Sequence, residues 1–206
     1  MGKKIIFATN NSGKMKEITE IMGDLKIPVY SMRDVGVDMD IVEDGETFED
    51  NALIKARALA KIFPDDIILA DDSGLEVDYL DKGPGVHTAL FAGRDTPYMV
   101  KNQVLIEKLK DAPEEKRTAR FVCVIAAIFP DGTIEITKGK IEGEINKEMA
   151  GDNGFGYDPI FYVPEYGCTT AQMSRSLKNQ LSHRGKALEM MKKIIRGKVN
   201  ENSSYE

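Results

Sequence analysis

The sequence predicts an α/β fold with a mixed central sheet. Apolar segments with strand character alternate with segments of helical periodicity near both ends of the chain. In the middle, an apolar strand at 119–129, the turn at 130–132 and a return strand at 134–136 together predict a hairpin. Because both kinds of connection occur, we expect a mixed sheet and not a purely parallel one, and this order suits two lobes with a cleft between them.

Composition narrows the class of protein. With 206 residues, 42% hydrophobic and 30% charged, the chain is long enough to bury a substantial core. The N-terminal apolar run is too short for a signal peptide and no segment approaches membrane-spanning length, so we expect a cytoplasmic protein with no membrane partner. A net charge of -6 argues against non-specific nucleic-acid binding, which requires a basic field. The two cysteines lack metal-ligand spacing and are expected to be reduced thiols.

The first part of the chain reads as strand, loop and helix, followed by a second helix. Residues 4–9 form a buried apolar run that enters a polar loop, and apolar residues then recur at helical spacing over 15–22. Thr47 and Asp50 form a helix-capping pair ahead of a second periodic segment, which predicts a helix over about residues 47–63.

The remaining elements are shorter or lie towards the end of the chain. An apolar strand at 67–70 is predicted to end at the polar segment 71–74, and a second strand follows at 75–78. A helix is expected over 98–109, and a final helix carries its apolar residues on one face. We expect a single domain over residues 1–199, while residues 200–206 lose all apolar periodicity and are predicted to be a flexible tail.

The polar loop after the first strand is a candidate phosphate site. Such a loop presents unpaired backbone N–H groups and the positive end of the helix dipole. Its side chains add neutral donors, and its lysine adds a positive charge. The Walker spacing is absent, and an ordinary strand–helix turn with capping residues explains this segment equally well when it is taken alone. The candidate phosphate-binding residues are Thr9, Asn10, Asn11, Ser12, Gly13 and Lys14.

Three carboxylates are candidates for metal binding and catalysis. Asp71 and Asp72 follow an apolar strand, where α/β sheets usually place catalytic groups. Because adjacent residues of an extended chain point to opposite sides, we expect only one of the two to face the cleft. Glu43 is the natural second oxygen ligand, since Mg²⁺ is commonly held by one or two carboxylates and the substrate phosphates. Solvated acidic turns at both places are the alternative.

Two later segments have the side chains that a nucleobase site requires. Phe155 lies between two glycines, which lets a planar base approach the backbone and stack, although a loop anchor in the core explains the same pattern. His183 and Arg184, with Lys178 shortly before them, are donors suited to a phosphate or a purine carbonyl, or else the solvated start of a helix. His87 is expected to be structural.

These segments, in this order, closely resemble the inosine triphosphate pyrophosphatase family, whose members hydrolyse non-standard purine nucleoside triphosphates. The resemblance extends over about residues 4–196. Its most specific parts are Ala-Thr-Asn-Asn-Ser-Gly-Lys at 8–14, the segments 47–56 and 70–77, Gly-Pro-Gly at 83–85, the segment 154–161 and Ser-His-Arg-Gly-Lys-Ala-Leu at 182–188.

The resemblance implies an elongated α/β fold with a central nucleotide cleft, a homodimer, and Mg²⁺-dependent release of pyrophosphate and a nucleoside monophosphate from ITP, dITP and XTP. It implies that the loop 9–14 and Lys55 hold the triphosphate. Glu43 and Asp72 are expected to hold the metal, with Asp72 also the base for water. The implied nucleotide-pocket residues are Ser73, Phe155, Gly156, Tyr157, Asp158, Lys178, His183 and Arg184.

The chain departs from the family pattern at two places. Leu90 stands where the family commonly has arginine, and Ser176 and Leu177 stand where it commonly has two glutamates. Because one positive and two negative groups are lost together, we hypothesise that they interact in relatives.

Other functions remain open at this point. A sister pyrophosphatase with a modified pyrimidine substrate shares the same stacking chemistry, although the extended resemblance favours purines. A nucleotide-binding regulator without turnover is a second alternative, against which Glu43, Asp72, Lys14 and Lys55 argue. A P-loop kinase or ATPase is disfavoured by the missing Walker spacing.

Overall fold

The computed structural model describes the backbone of residues 4–203 and the side chains of residues 4–200. The strands are β1 Ile5–Phe7, β2 Val29–Ser31, β3 Ile67–Val77, β4 Thr118–Ile128, β5 Ile134–Ile145, β6 Phe161–Val163 and β7 Cys168–Thr169. The helices are α1 Ser12–Met22, α2 Phe48–Ala60, α3 Tyr98–Lys108, α4 Arg175–Leu181 and α5 His183–Ser203. Short 3₁₀ turns connect several of them. The predicted α/β class is confirmed.

Within the described residues, the strands form one seven-stranded sheet in the order β2-β1-β3-β4-β5-β6-β7. Strand β1 is parallel to β2 and to β3, with Ile5 opposite Val29 on one side and Ile67 on the other. At the far end, β6 is antiparallel to β5 and to β7. The sheet is therefore mixed, as predicted from the two kinds of connection.

The third strand differs from its prediction. We expected a strand to end at residue 70 and a new one to begin at residue 75, but β3 runs without interruption from Ile67 to Val77. Its neighbour β4 is equally long, and pairing along such a partner outweighs the turn preference of the polar residues 71–74. The parallel pairing with β1 ends at Leu69. Asp71 and Asp72 thus lie within a strand, just beyond the carboxyl end of its parallel neighbour.

The helix α2 shows how local sequence sets a boundary. Thr47 caps the helix by accepting a hydrogen bond from the Asp50 N–H, and the Asp50 side chain accepts one in return from the Thr47 N–H. This reciprocal pair satisfies two of the N–H groups that a helix start leaves without partners. The predicted start is confirmed, and the helix ends at Ala60, slightly before the expected end.

The chain divides into two compact units, each with its own apolar core. The first unit comprises residues 4–72, 123–139 and 184–203, and its core includes Phe7, Ile18, Leu69 and Met191. The second unit comprises residues 73–122 and 140–183, and its core includes Leu105, Phe121 and Phe161. The single catalytic domain over 1–199 and the cleft remain predictions.

The last helix belongs to the first unit from residue 184 onwards. Ala187, Leu188, Met191 and Ile195 are fully buried along one face, as the helical periodicity predicts. The helix continues to Ser203, so residues 200–203 of the predicted flexible tail are helical, whereas residues 204–206 lie outside the described part of the chain. Within residues 4–203, none of the helices combines the length and apolar character that a membrane-spanning segment needs.

Candidate functional site

The loop between β1 and α1 exposes backbone donors at the start of a helix. Asn11 is the N-cap, and its side chain accepts a hydrogen bond from the Lys14 N–H at 3.0 Å. The Asn11 N–H is itself used, because it donates to the Thr9 hydroxyl at 3.2 Å. In the described structure, the N–H groups of Ser12 and Gly13 donate to no protein acceptor. Two N–H groups at the positive end of an 11-residue helix are therefore available to an anion.

Asp71 is buried in a cluster of opposite charges. The Lys14 ammonium lies 2.9 Å from its carboxylate, and the Arg184 guanidinium lies 3.2 Å from it. Arg184 also donates to Glu17 at 2.6 Å. Although burial alone raises the pKa of Asp71, the positive charges of Lys14 and Arg184 outweigh it and hold that pKa well below its usual range. Asp71 is therefore a permanent anion at neutral pH.

Asp72 has a different environment from its neighbour, since successive side chains of a strand alternate in direction. The Lys55 ammonium lies 3.7 Å from the Asp72 carboxylate and 2.5 Å from that of Glu43. Burial raises the pKa of Asp72 to about 6, against the opposing charges of Lys55 and Lys14. Burial alone lowers the pKa of Lys55, but the charges of the surrounding carboxylates outweigh it and raise that pKa. The Lys55 ammonium thus forms ion pairs with both predicted metal ligands.

Asn51 holds the two acidic segments in place. Its amide N–H₂ donates to Asp72 at 3.2 Å, and its amide oxygen accepts from the Gly45 N–H at 2.8 Å. A Cβ at Gly45 would lie 2.7 Å from that amide oxygen, so only glycine allows the acidic turn this close to α2. Asn51 precedes Lys55 by one helical turn, which places both side chains on one face of α2.

The donor set near Asp72 fits Mg²⁺ bound with substrate. Among the described residues, no group of three or more His, Cys, Asp or Glu side chains is arranged to hold a metal ion by itself. Glu43 and Asp72 are two carboxylates that already share one cation. Mg²⁺ is commonly held by one or two carboxylates, with waters and phosphate oxygens completing its octahedron. Glu43 and Asp72 are therefore suitable ligands when phosphate supplies further oxygens.

In the second unit, the loop that carries Phe155 is held by a buried ion pair. Lys178 donates to Asp158 at 2.6 Å, and its ammonium lies 4.9 Å from the centre of the Phe155 ring. The Asp158 carboxylate also accepts from the Phe155 N–H at 2.8 Å. A Cβ at Gly154, which has φ +78°, would clash with that carboxylate, so this turn requires glycine. The structure thus brings Phe155, Asp158 and Lys178 together, and their role in a nucleotide pocket stays a prediction.

The other predicted pocket residues have different surroundings. The His183 ring is buried and stacks on Phe121 with the ring centres 4.8 Å apart. Tyr157 is buried and donates from its hydroxyl to the Thr88 carbonyl at 3.3 Å. The Gly156 carbonyl accepts from Asn102. Ser73 is half-buried on β3. Their assignment to a nucleotide pocket remains a prediction.

Three residues with clear roles in these clusters were missed at the level of sequence. Glu17 is the second carboxylate partner of Arg184, and Asn51 positions Asp72. Asn102, on α3, donates to the loop that carries Phe155. Helical spacing offered a signal for the first two, because Glu17 follows Lys14 by about one turn and Asn51 precedes Lys55 by about one turn. No local pattern distinguishes Asn102 from other polar helix residues.

The two departures from the family pattern lie in the second unit. Leu90 is nearly half exposed. Ser176 is exposed, whereas Leu177 packs against the apolar core of that unit. An apolar contact thus occupies one of the two positions at which the resemblance led us to expect a glutamate. The hypothesis of a lost interaction stays untested.

Comparison with known proteins gives matches over nearly the whole chain. The model of the Ham1 family matches residues 5–194. The chain is 44% identical over 200 residues to the dITP/XTP pyrophosphatase of Clostridium perfringens, covering 95% of this chain and 98% of the relative. It is 46% identical over 192 residues to that of Desulforamulus reducens, covering 93% and 95%. The solved Ham1 proteins of Staphylococcus aureus and Coxiella burnetii are each 40% identical, cover 95% of this chain and all of theirs, and superpose with TM-scores of 0.84 and 0.85.

Proposed function

The chain belongs to the Ham1 family, and from this premise we propose that it hydrolyses ITP, dITP and XTP to the nucleoside monophosphate and pyrophosphate. The family predicted from the sequence motifs is confirmed. Curated relatives of this chain carry the name dITP/XTP pyrophosphatase. The observation that carries the proposal for this chain is the Glu43–Lys55–Asp72 cluster, in which two carboxylates and a lysine converge next to the part-buried ion pair of Lys14 and Asp71.

Cleavage of the α–β phosphoanhydride requires positive charge on the departing pyrophosphate. Lys14 and Lys55 supply two ammonium groups, and the N–H groups of Ser12 and Gly13 supply neutral donors. These donors belong to one unit and are set on α1 and α2, whose capped starts hold them in place. We assign them to the triphosphate, together with the polar side chains of Thr9, Asn10 and Asn11.

Hydrolysis also requires a water molecule aligned with the α-phosphorus. We assign its positioning and deprotonation to Asp72, whose second carboxylate oxygen is oriented by the Asn51 amide. Burial raises the pKa of this carboxyl to about 6 in the protein alone, so it is more basic than an ordinary aspartate and still mostly ionised at neutral pH. A bound Mg²⁺ supplies charge on the phosphate oxygens and a more acidic water.

We assign base recognition to the loop that carries Phe155 and to nearby donor side chains. The Phe155 ring offers an aromatic face for a purine, and the ion pair of Lys178 with Asp158 fixes the loop on which it lies. Lys178, His183 and Arg184 are the candidate donors to a 6-keto oxygen. Adenine has an amino group at that position, which leaves buried donors without an acceptor and disfavours ATP. Arg184 currently engages Asp71 and Glu17, so its contact with the base stays a proposal.

Three further features are proposed on the family resemblance. The metal is Mg²⁺, the protein is a homodimer, and its location is the cytoplasm. The assignment of Mg²⁺ is supported by the two carboxylates, which suit a metal site that phosphate oxygens complete. Light scattering coupled to size exclusion measures the second, and a mass of one chain would contradict it.

The function is tested by incubating the protein with ITP, dITP, XTP, ATP, GTP and dTTP, with Mg²⁺ and with EDTA. We expect pyrophosphate as the first product, rapid turnover of the first three nucleotides, and none in EDTA. Orthophosphate as the primary product, or no turnover of any triphosphate, contradicts the proposal. Preference for dTTP would instead identify the pyrimidine-specific sister enzyme.

A further inference from the structure

The ammonium group of Lys55 lies where the two predicted metal ligands converge. Its nitrogen is 2.5 Å from Glu43 and 3.7 Å from Asp72, and its side chain is only 10% exposed. Two carboxylates held this close repel one another unless a cation lies between them. In the structure, the Lys55 ammonium is a cation that lies near both carboxylates.

The carboxylates do not depend on Lys55 alone for their positions. Asn51 holds Asp72 through one end of its amide and the acidic turn through the other, at Gly45. The close packing of Gly45 against Asn51 fixes that turn further. Asn51 thus holds the acidic groups in position without the lysine, so a different cation can take the place of Lys55.

A divalent cation and the lysine compete for the same carboxylates. Mg²⁺ binds oxygen ligands at about 2.0–2.1 Å, and two cations a few ångströms apart in a partly buried site repel strongly. The flexible four-carbon stem of lysine allows its ammonium to move several ångströms by rotamer changes. Metal binding is thus coupled to displacement of this side chain.

We propose that Lys55 is the exchangeable counter-cation of the metal site: its ammonium neutralises Glu43 and Asp72 in the metal-free protein, leaves them when a divalent cation binds, and then serves the triphosphate. This inference rests on the proposed function, because it takes Glu43 and Asp72 as the metal ligands. It assigns to Lys55 a role before substrate arrives, in addition to phosphate binding.

The exchange gives Lys55→Met two effects of opposite direction. Without nucleotide, the variant lacks the competing ammonium, so Mn²⁺ is expected to bind at least about tenfold more tightly than to the wild type. With phosphate present, the variant lacks a phosphate-binding charge, so inhibition by inorganic pyrophosphate is expected to weaken by about tenfold or more. A residue that only supports the fold would weaken both.

Mn²⁺ binding is measured by the loss of the free-ion electron paramagnetic resonance signal on titration of the metal-free protein. Lys192→Met is the matched control, because Lys192 is also buried and also lies between two carboxylates, 2.7 Å from Glu189 and 3.0 Å from Asp24. Its Mn²⁺ affinity is expected to equal that of the wild type. Lys55→Gln repeats the experiment if the methionine variant does not fold.

Displacement itself is followed by acylation of lysines with a small amine-reactive ester and mass spectrometry. Lys55 is expected to react faster in Mn²⁺ than in EDTA, whereas Lys192 reacts equally in both. Unchanged Mn²⁺ affinity in both Lys55 variants overturns the inference, and so does tighter binding with unchanged acylation, which would indicate repulsion without exchange. If the wild type turns over nucleotide without a metal, the proposed function is contradicted, whatever the Lys55 variants show.

Discussion

In the wild type, Asp72 is expected to lower the free energy of unfolding as the pH rises. Replacing it with asparagine is expected to remove this pH dependence. Burial raises the pKa of this carboxyl from 3.8 to about 6. Between these values the unfolded chain has released the proton that the native state still holds, so the free energy of unfolding falls with rising pH. At 1.36 kcal/mol per pKa unit, this rise in the pKa of Asp72 corresponds to a change of about 3 kcal/mol in the free energy of unfolding. The free energy of unfolding of the variant, relative to that of the wild type, should therefore rise by up to about 3 kcal/mol between about pH 4 and pH 8.

The measurement is urea unfolding followed by circular dichroism at both pH values in EDTA, so that no metal stabilises the wild type. Asp71→Asn is the neighbouring control with the opposite expectation. The charges of Lys14 and Arg184 outweigh burial and lower the pKa of Asp71, so its ionised form stabilises the native state above the usual pKa. Removing that charge from a buried cluster should cost about 3–5 kcal/mol at pH 8. If the effect of Asp72→Asn is the same at both pH values, the reasoning about its environment is wrong.

Three further outcomes test the assigned roles. Asp72→Asn should lower kcat for dITP by at least about a hundredfold with an unchanged far-ultraviolet spectrum, because it removes the base and a metal ligand; near-normal kcat refutes this role. Phe155→Ala should raise KM for dITP about tenfold or more, since stacking contributes about 1–3 kcal/mol per base, while Phe155→Tyr keeps the wild-type value; equal KM in both variants argues against stacking. Lys178→Met should lower the free energy of unfolding by about 3–5 kcal/mol, because Asp158 then loses its buried partner at 2.6 Å. Adding Asp158→Asn should recover part of that loss, and strictly additive effects in chemical denaturation would contradict the pairing.

Features that depend on neighbours in sequence were predicted well. The start of α2 follows from the reciprocal bonds of Thr47 and Asp50, which involve one turn of chain and need no tertiary partner. The strand–loop–helix order around residues 9–14 and the buried face of α5 follow from periodicity in the same way. The family itself was evident from short segments whose order leaves little room for coincidence.

Features that depend on distant partners were not predictable. The polar residues 71–74 indicated a break, yet β3 continues through them because its neighbouring strand β4 is equally long. The alternation of a strand separates Asp71 from Asp72, but it does not say which of them meets Arg184. Arg184 lies 113 residues after Asp71 in the sequence, so only folding brings the two side chains together.

The two aspartates show where the boundary lies between what sequence and fold decide. Their identity, their adjacency and their opposite orientation follow from the chain itself. Their chemistry does not, because a carboxyl's pKa depends on the burial and the charges that surround it. The tertiary structure gives Asp71 two cations and makes it a permanent anion. Burial raises the pKa of Asp72 to about 6 against the charge of Lys55, which keeps this carboxyl able to take up a proton. Because Asp72 shares that lysine with Glu43, it also lies beside a second carboxylate suited to a metal.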